Sequence, residues 1–118
     1  MNEESEAPEV FATLDDEYAR EILVATKRER LSAGELSEKC DMSRPTVSRR
    51  VNRLVEQGFL EAHTHVDPAG HHYKEYEACL ERVEILLNAD GFDVEVDVQA
   101  DPADRITSIF QTMREEGD

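Results

Sequence analysis

The sequence predicts an α+β fold in which helices come first and paired strands follow. Apolar residues recur at helical spacing behind capping signals as far as Gly58; the pattern then changes to alternation, and the chain closes on one more stripe at helical spacing. At 118 residues the chain is one domain or slightly more, which excludes a large two-domain enzyme.

Thr13 with Asp16 has the spacing of a capping box, and Leu14, Tyr18, Ile22 and Ala25 then recur, which predicts a helix over about 14–29. Residues 1–12 before it are read as a flexible acidic N-terminus. Ser32 and Glu35 form a second capping box; Leu36 and Cys40 follow at i, i+4 on a short helix that ends near Lys39, with Asp41 as the left-handed turn residue. Ser43 caps a third helix, Pro45 fits its first turn, where a missing N–H costs nothing, and Gly58 stands at its C-terminal stop. At about 100° per residue, Val47, Val51, Leu54 and Val55 gather in one stripe, the face that packs on the first two helices. The opposite face then presents Pro45, Thr46, Arg49, Asn52 and Arg53, with Ser48 and Arg50 on its flanks.

After Gly58, Phe59 to Val66 and His71 to Glu77 read as two strands joined by the turn Asp67-Pro68-Ala69-Gly70. If Val66 pairs with His71, His65 faces His72 and His63 faces Lys74, which puts three imidazoles on one side at a spacing that suits a metal ion. Contact with an anion or plain exposure is the simpler reading of such a hairpin tip. A second hairpin follows, with Val83, Ile85 and Leu87 alternating before Asn88-Ala89-Asp90-Gly91 and Phe92, Val94, Val96 and Val98 after it. Whether its first strand continues the preceding one is left open by the sequence. Asp101-Pro102 opens a last helix, on which Ile106, Ile109, Phe110 and Met113 form an i, i+3, i+4, i+7 stripe that needs a partner.

Charge sorts the chain further. Twenty-eight acids against 13 bases give a net charge of −15, and the basic set is rich in Arg and poor in Lys. Periodic apolar residues, 39% of the chain, argue against disorder, so the acid excess is read as adaptation to molar salt, where self-repulsion is screened within ~3 Å at 1 M. Residues 1–18 carry Glu3, Glu4, Glu6, Glu9, Asp15, Asp16 and Glu17 and no base. Residues 43–74 reverse the sign, with Arg44, Arg49, Arg50, Arg53 and Lys74 against Glu56, Glu61 and Asp67, and with His63, His65, His71 and His72 in addition. That segment is built to face anions. No apolar run approaches the ~18–20 residues of a membrane span and the acidic N-terminus is unlike a signal peptide, so a cytoplasmic protein is expected. Cys40 and Cys79 are too few and too far apart for a disulfide framework or a cysteine-based zinc site. G-x-S-x-G, HExxH and Walker signatures are missing, so no enzyme is expected.

The order helix, helix, turn, helix, hairpin, with Ser43-Arg44-Pro45-Thr46-Val47-Ser48-Arg49-Arg50-Val51-Asn52-Arg53-Leu54-Val55-Glu56-Gln57-Gly58-Phe59-Leu60, resembles the recognition helix and wing entry of winged helix-turn-helix transcription regulators over residues 14–77. Leu36 and Val47 match buried positions of that motif and Cys40 a third, while Asp41 stands where such proteins commonly have Gly. With its acidity the chain is similar to haloarchaeal regulators of the ArsR/PadR-like kind, including those that answer reactive oxygen species. The resemblance implies a DNA-binding domain over 13–80, followed over 81–118 by the second hairpin and a helix that dimerises. Ile106, Ile109, Phe110 and Met113 would then lie in a homodimer interface, the alternative being packing within one chain.

On such a recognition helix Pro45, Thr46, Arg49 and Asn52 are placed to read bases, since Arg pairs with guanine and Asn with adenine in the major groove. Ser43, Arg44, Ser48, Arg50 and Arg53 suit phosphates, and His65, His71, His72 and Lys74 are the wing's candidates for DNA contact. The expected partners are double-stranded promoter DNA and a second copy of the chain, with no membrane and no small-molecule ligand. No cofactor or resident metal is expected, only monovalent cations or halide held at the DNA interface. Two alternatives stand beside this: a winged-helix protein-interaction module of the transcription machinery, and a metal-sensing repressor that uses the wing histidines. For an oxidant response Cys40, Cys79, Met42 and Met113 are the oxidisable groups, although a sensor thiol should be exposed with a lowered pKa.

Overall fold

The computed structural model describes residues 2–99 and divides into two compact units, one of residues 16–79 and one that joins residues 1–15 to the chain from 80 onward. The tail stripe Ile106, Ile109, Phe110 and Met113 lies outside the described residues.

The first unit contains helix α2 (Glu17–Arg28), the short strand β1 (Leu31–Ser32), helices α3 (Ala33–Lys39) and α4 (Arg44–Glu56), and strands β2 (Leu60–Val66) and β3 (His72–Ala78). Its antiparallel sheet has the order β1-β3-β2. Ile22, Leu31, Leu36, Val47, Val51, Leu54, Phe59 and Leu60 form the core, closed at its edges by Met42 and Ala78. Thr26 is buried among them without penalty, because its hydroxyl donates to the Ile22 carbonyl at 2.7 Å. Helices on a β-hairpin wing, with further strands after it, make this an α+β fold of winged helix-turn-helix form.

The caps explain where the helices start and stop. Ser32 and Glu35 close the expected capping box, with Glu35 N–H to Ser32 Oγ at 3.2 Å and Ser32 N–H to Glu35 Oε1 at 2.8 Å. Asp41 takes φ 56°, the left-handed turn expected of it, and Gly58 takes φ 81° beyond the C-cap Gln57.

Five local expectations are corrected. The first helix of this unit begins at Glu17, not near residue 14, because Asp16 serves as the N-cap and spends its carboxylate forward on the N–H groups of Tyr18 and Ala19 at 2.9 and 3.4 Å. Residues Asn2–Asp15, expected to fray, form a helix of their own, α1. The buried face of α2 is Ala19, Ile22 and Thr26, which leaves Tyr18 exposed. On α4, Val55 is exposed while Val47, Val51 and Leu54 are buried, since it lies about 80° from Val47 around the helix and its companions within about 40°.

The fifth correction is the wing register. Asp67 N–H bonds the His71 carbonyl and Gly70 N–H the Asp67 carbonyl, both at 2.9 Å, so the loop is Pro68-Ala69-Gly70 with Gly70 at φ 89°. Val66 therefore pairs with His72, Thr64 with Lys74, His65 with Tyr73 and His63 with Glu75, one residue from the expected register. Such a slip exchanges faces. His63 and His65 share one face, His72 points to the other, and the three-imidazole arrangement does not form.

In the second unit, α1 stands with the antiparallel hairpin of β4 (Leu80–Asn88) and β5 (Gly91–Val98), turned at Ala89-Asp90. The open question of continuity is answered by the pairing: β3 ends at Ala78, β4 begins at Leu80, and they belong to different sheets. Val83 pairs with Val96, Ile85 with Val94 and Leu87 with Phe92, so one face is apolar, and Phe11 of α1 meets Phe92 edge-on with ring centroids 5.9 Å apart. The other face is charged, with Arg82 bridging to Asp97 at 3.1 Å and Glu84 opposite Glu95.

Candidate nucleic-acid interface

Helix α4 breaks a rule that its neighbours obey. The positive end of a helix dipole favours acids, and α2 and α3 begin with Glu17 and Glu35, but the first turn of α4 has no acid and carries Arg44 instead. Folding alone does not call for a guanidinium there; an incoming anion does.

Ser43 caps α4 by accepting from the Thr46 N–H at 3.2 Å, and its hydroxyl donates to Thr46 Oγ1 at 2.9 Å. Thr46 thus keeps its own hydroxyl proton for an outside acceptor. Arg44, Pro45, Ser48, Arg49 and Asn52 are exposed, with Thr46 and Arg53 half-buried beside them. Among the described residues no carboxylate lies within ion-pair distance of Arg44, Arg49 or Arg53.

Arg50 has the opposite fate. Its Nε donates to Asp16 Oδ2 at 2.6 Å, and its guanidinium stands 5.5 Å from the centre of the Tyr18 ring. Burial alone would raise the Asp16 carboxyl. The Arg50 hydrogen bond and the amides of Ala19 and Tyr18 outweigh it and hold the group below the usual carboxylate range. Arg50, expected at phosphate, is engaged in tying α4 to the cap of α2; the signal for it was Asp16 itself, whose spare oxygen a capping role leaves free.

The wing completes a cleft. Arg44 from α4, Gly34 from α3, and His72, Lys74 and Tyr76 from β3 line it, and a Cβ on Gly34 would meet the Arg44 guanidinium at 3.5 Å. Of the expected wing residues, His72 and Lys74 face this cleft. His71 is exposed beside Asp67 at 3.5 Å, and His65 turns to the opposite face, stacked on Tyr73 and 2.9 Å from Glu75.

On that opposite face the sequence reading missed the acids. His63 Nε2 lies 2.9 Å from Glu77 and 3.6 Å from Glu61, with the three groups' ligand atoms all within 4.8 Å of one another. A divalent ion there would compete with Arg30, which already sits 3.3 Å from Glu77. The two thiols show no activation. Burial first, and then Glu21, pushes the Cys40 thiol up; burial and Glu61 do the same for Cys79, whose Sγ donates to the Gly58 carbonyl at 3.0 Å.

Residues 14–63, from the end of α1 into β2, match the protein family described as Helix-turn-helix domain. That supports a winged helix-turn-helix regulator, a DNA-binding kind of protein, on grounds independent of the geometry above. No curated protein matches the chain. Among the described residues no helix is long and apolar enough to cross a membrane.

Proposed function

We propose that the protein is a sequence-specific transcription regulator that binds double-stranded promoter DNA as a homodimer at molar salt, in the manner of haloarchaeal regulators of oxidant response. The observation that carries this is the outward face of α4, where Arg44, Arg49 and Arg53 have no acid partner among the described residues of a chain with net charge −15. Arg49, Thr46, Asn52 and Pro45 read base edges; Ser43, Arg44, Ser48 and Arg53 hold phosphates, and His72 and Lys74 hold a further phosphate in the wing cleft. Ile106, Ile109, Phe110 and Met113 contribute to the homodimer.

A protein this acidic in molar salt gains little from counterion release, which ordinarily weakens binding with a slope of ~0.9 per neutralised phosphate on log salt. Cations retained between phosphates and Glu56 or Asp67 remove the repulsion, and direct readout supplies specificity; Glu61, expected to share this role, lies on the opposite face of the wing with His63 and Glu77. Binding of genomic promoter fragments, followed by gel shift as KCl is raised to molar, tests this. Affinity should hold or rise with salt and fall in Arg49→Ala. Failure to bind any fragment would favour a protein-interaction module instead.

A further inference from the structure

We infer that the root of the wing, on the face turned away from the cleft, binds one divalent first-row transition-metal ion through Glu61, His63 and Glu77. The inference does not depend on DNA binding. Glu61 and Glu77 stand directly opposite each other in the β2–β3 register, one rung above the buried pair Leu60 and Ala78. Like charges in that position destabilise a hairpin, so folding alone does not call for them. His63 comes two residues after Glu61 and shares its face, and its Nε2 lies 3.6 Å from Glu61 Oε1 and 2.9 Å from Glu77 Oε1. Glu75, the residue opposite His63, turns instead to His65 at 2.9 Å, which leaves the His63 imidazole to the other two acids.

The spacing matches a coordination sphere. Nitrogen and oxygen ligands about 2.1 Å from one ion stand about 3.4 Å from each other in a tetrahedral site, and the two separations at His63 fall on either side of that value. All three ligand atoms lie within 4.8 Å of one another, so small rotations of the two glutamates close the set. One imidazole with two carboxylates disfavours Mg2+ and Ca2+, which prefer all-oxygen sites, and leaves further positions open to water. Arg30 is the competitor already in place, 3.3 Å from Glu77. Its guanidinium reaches one acid, whereas an ion joins both, and its side chain is exposed enough to swing into water. Such an ion ties β2 to β3 where the hairpin leaves the core and holds the register that presents His72 and Lys74 on the other face.

The test is titration of the full chain with Co2+ in molar KCl, followed by calorimetry and by the visible Co2+ spectrum, with Mg2+ as the control ion. Molar salt screens a merely acidic surface within ~3 Å, whereas direct ligation survives it. Wild type is expected to bind one Co2+ and to melt at a higher temperature when loaded. His63→Ala and Glu77→Gln should each weaken binding at least about 10-fold and lose the shift in melting, with circular dichroism showing both folded. Arg30→Ala leaves the ligands untouched and should bind about 2- to 5-fold more tightly, by the worth of one exposed ion pair. Wild type that takes up no Co2+, or that holds Mg2+ as tightly, overturns the inference. So does undiminished binding in His63→Ala, or a failure of Arg30→Ala to tighten it, since the ion would then lie elsewhere on the acidic surface.

Discussion

The two hairpins are built alike and end differently. Both are antiparallel pairs closed by short turns, yet the wing is anchored at its base by Leu60 and Ala78, 3% and 7% exposed, and carries histidine and lysine toward its tip, with Val66 the one large aliphatic side chain exposed there. The second hairpin reverses this, with a charged outer face and its least covered apolar pair, Leu87 and Phe92, beside the turn. A polar tip on a buried base is suited to a solvated, charged partner; an apolar tip is suited to another protein surface. The same strand chemistry is thus turned to two kinds of contact by where the apolar residues fall along it.

The sharpest way to break that contrast is to delete the same atoms from each. Leu60→Ala removes a core side chain and is expected to lower the stability of the folded chain by ~2–4 kcal/mol. Leu87→Ala, in urea unfolding at concentrations too dilute for association, should change it by less than ~0.5 kcal/mol. Equal costs would show that Leu87 is covered within its own copy.

A second contrast sits inside α4, between neighbours. Arg49→Ala should weaken operator binding by ~1–3 kcal/mol in a titration against promoter DNA, relax the preference at one base pair and leave the melting temperature unchanged. Arg50→Ala should show first in the melting temperature, because it strands the Asp16 carboxylate. If the two substitutions act alike on DNA affinity, Arg50 leaves Asp16 when DNA arrives.

These neighbours also mark the limit of what could be read without coordinates. The caps at Ser32 and Ser43, the left-handed Asp41 and the stop at Gly58 were legible because each depends on residues within a turn of one another. So was the outward face of α4, which follows from its buried one. Arg50 was not, since its partner lies 34 residues away. Nor was the wing register, where one hydrogen bond between Asp67 and His71 decides which imidazoles share a face. The pairing of His63 with Glu61 and Glu77 stayed hidden for the same reason. Helix α1 was passed over because a run of acids reads as a solvated tail until Phe11 is seen against Phe92.

The Asp16 cap gives a smaller effect with a defined sign. Asp16→Ala should cost ~1–2 kcal/mol at neutral pH through the lost cap and the released Arg50. Because the folded carboxyl is held below its unfolded value, this contribution is full above the ordinary carboxylate range near ~4 and is lost as pH falls through the depressed folded value. Wild type and variant stabilities measured in acid should therefore converge. A gap that persists below that range would assign the effect to packing.

The least effect is expected at the wing. Lys74 shares its cleft with Arg44 and His72, so its removal leaves a guanidinium and an imidazole in place. Lys74→Ala should weaken binding by no more than ~1 kcal/mol, and by the same amount on the preferred operator and on unrelated duplexes, because a phosphate contact carries no sequence information. Arg49→Ala should instead narrow the gap between those two DNAs. Competition titrations on both separate the wing's part from the helix's. A Lys74→Ala loss confined to the operator would move the wing from the backbone to the bases, and the polar hairpin would then owe its role to readout as much as to charge.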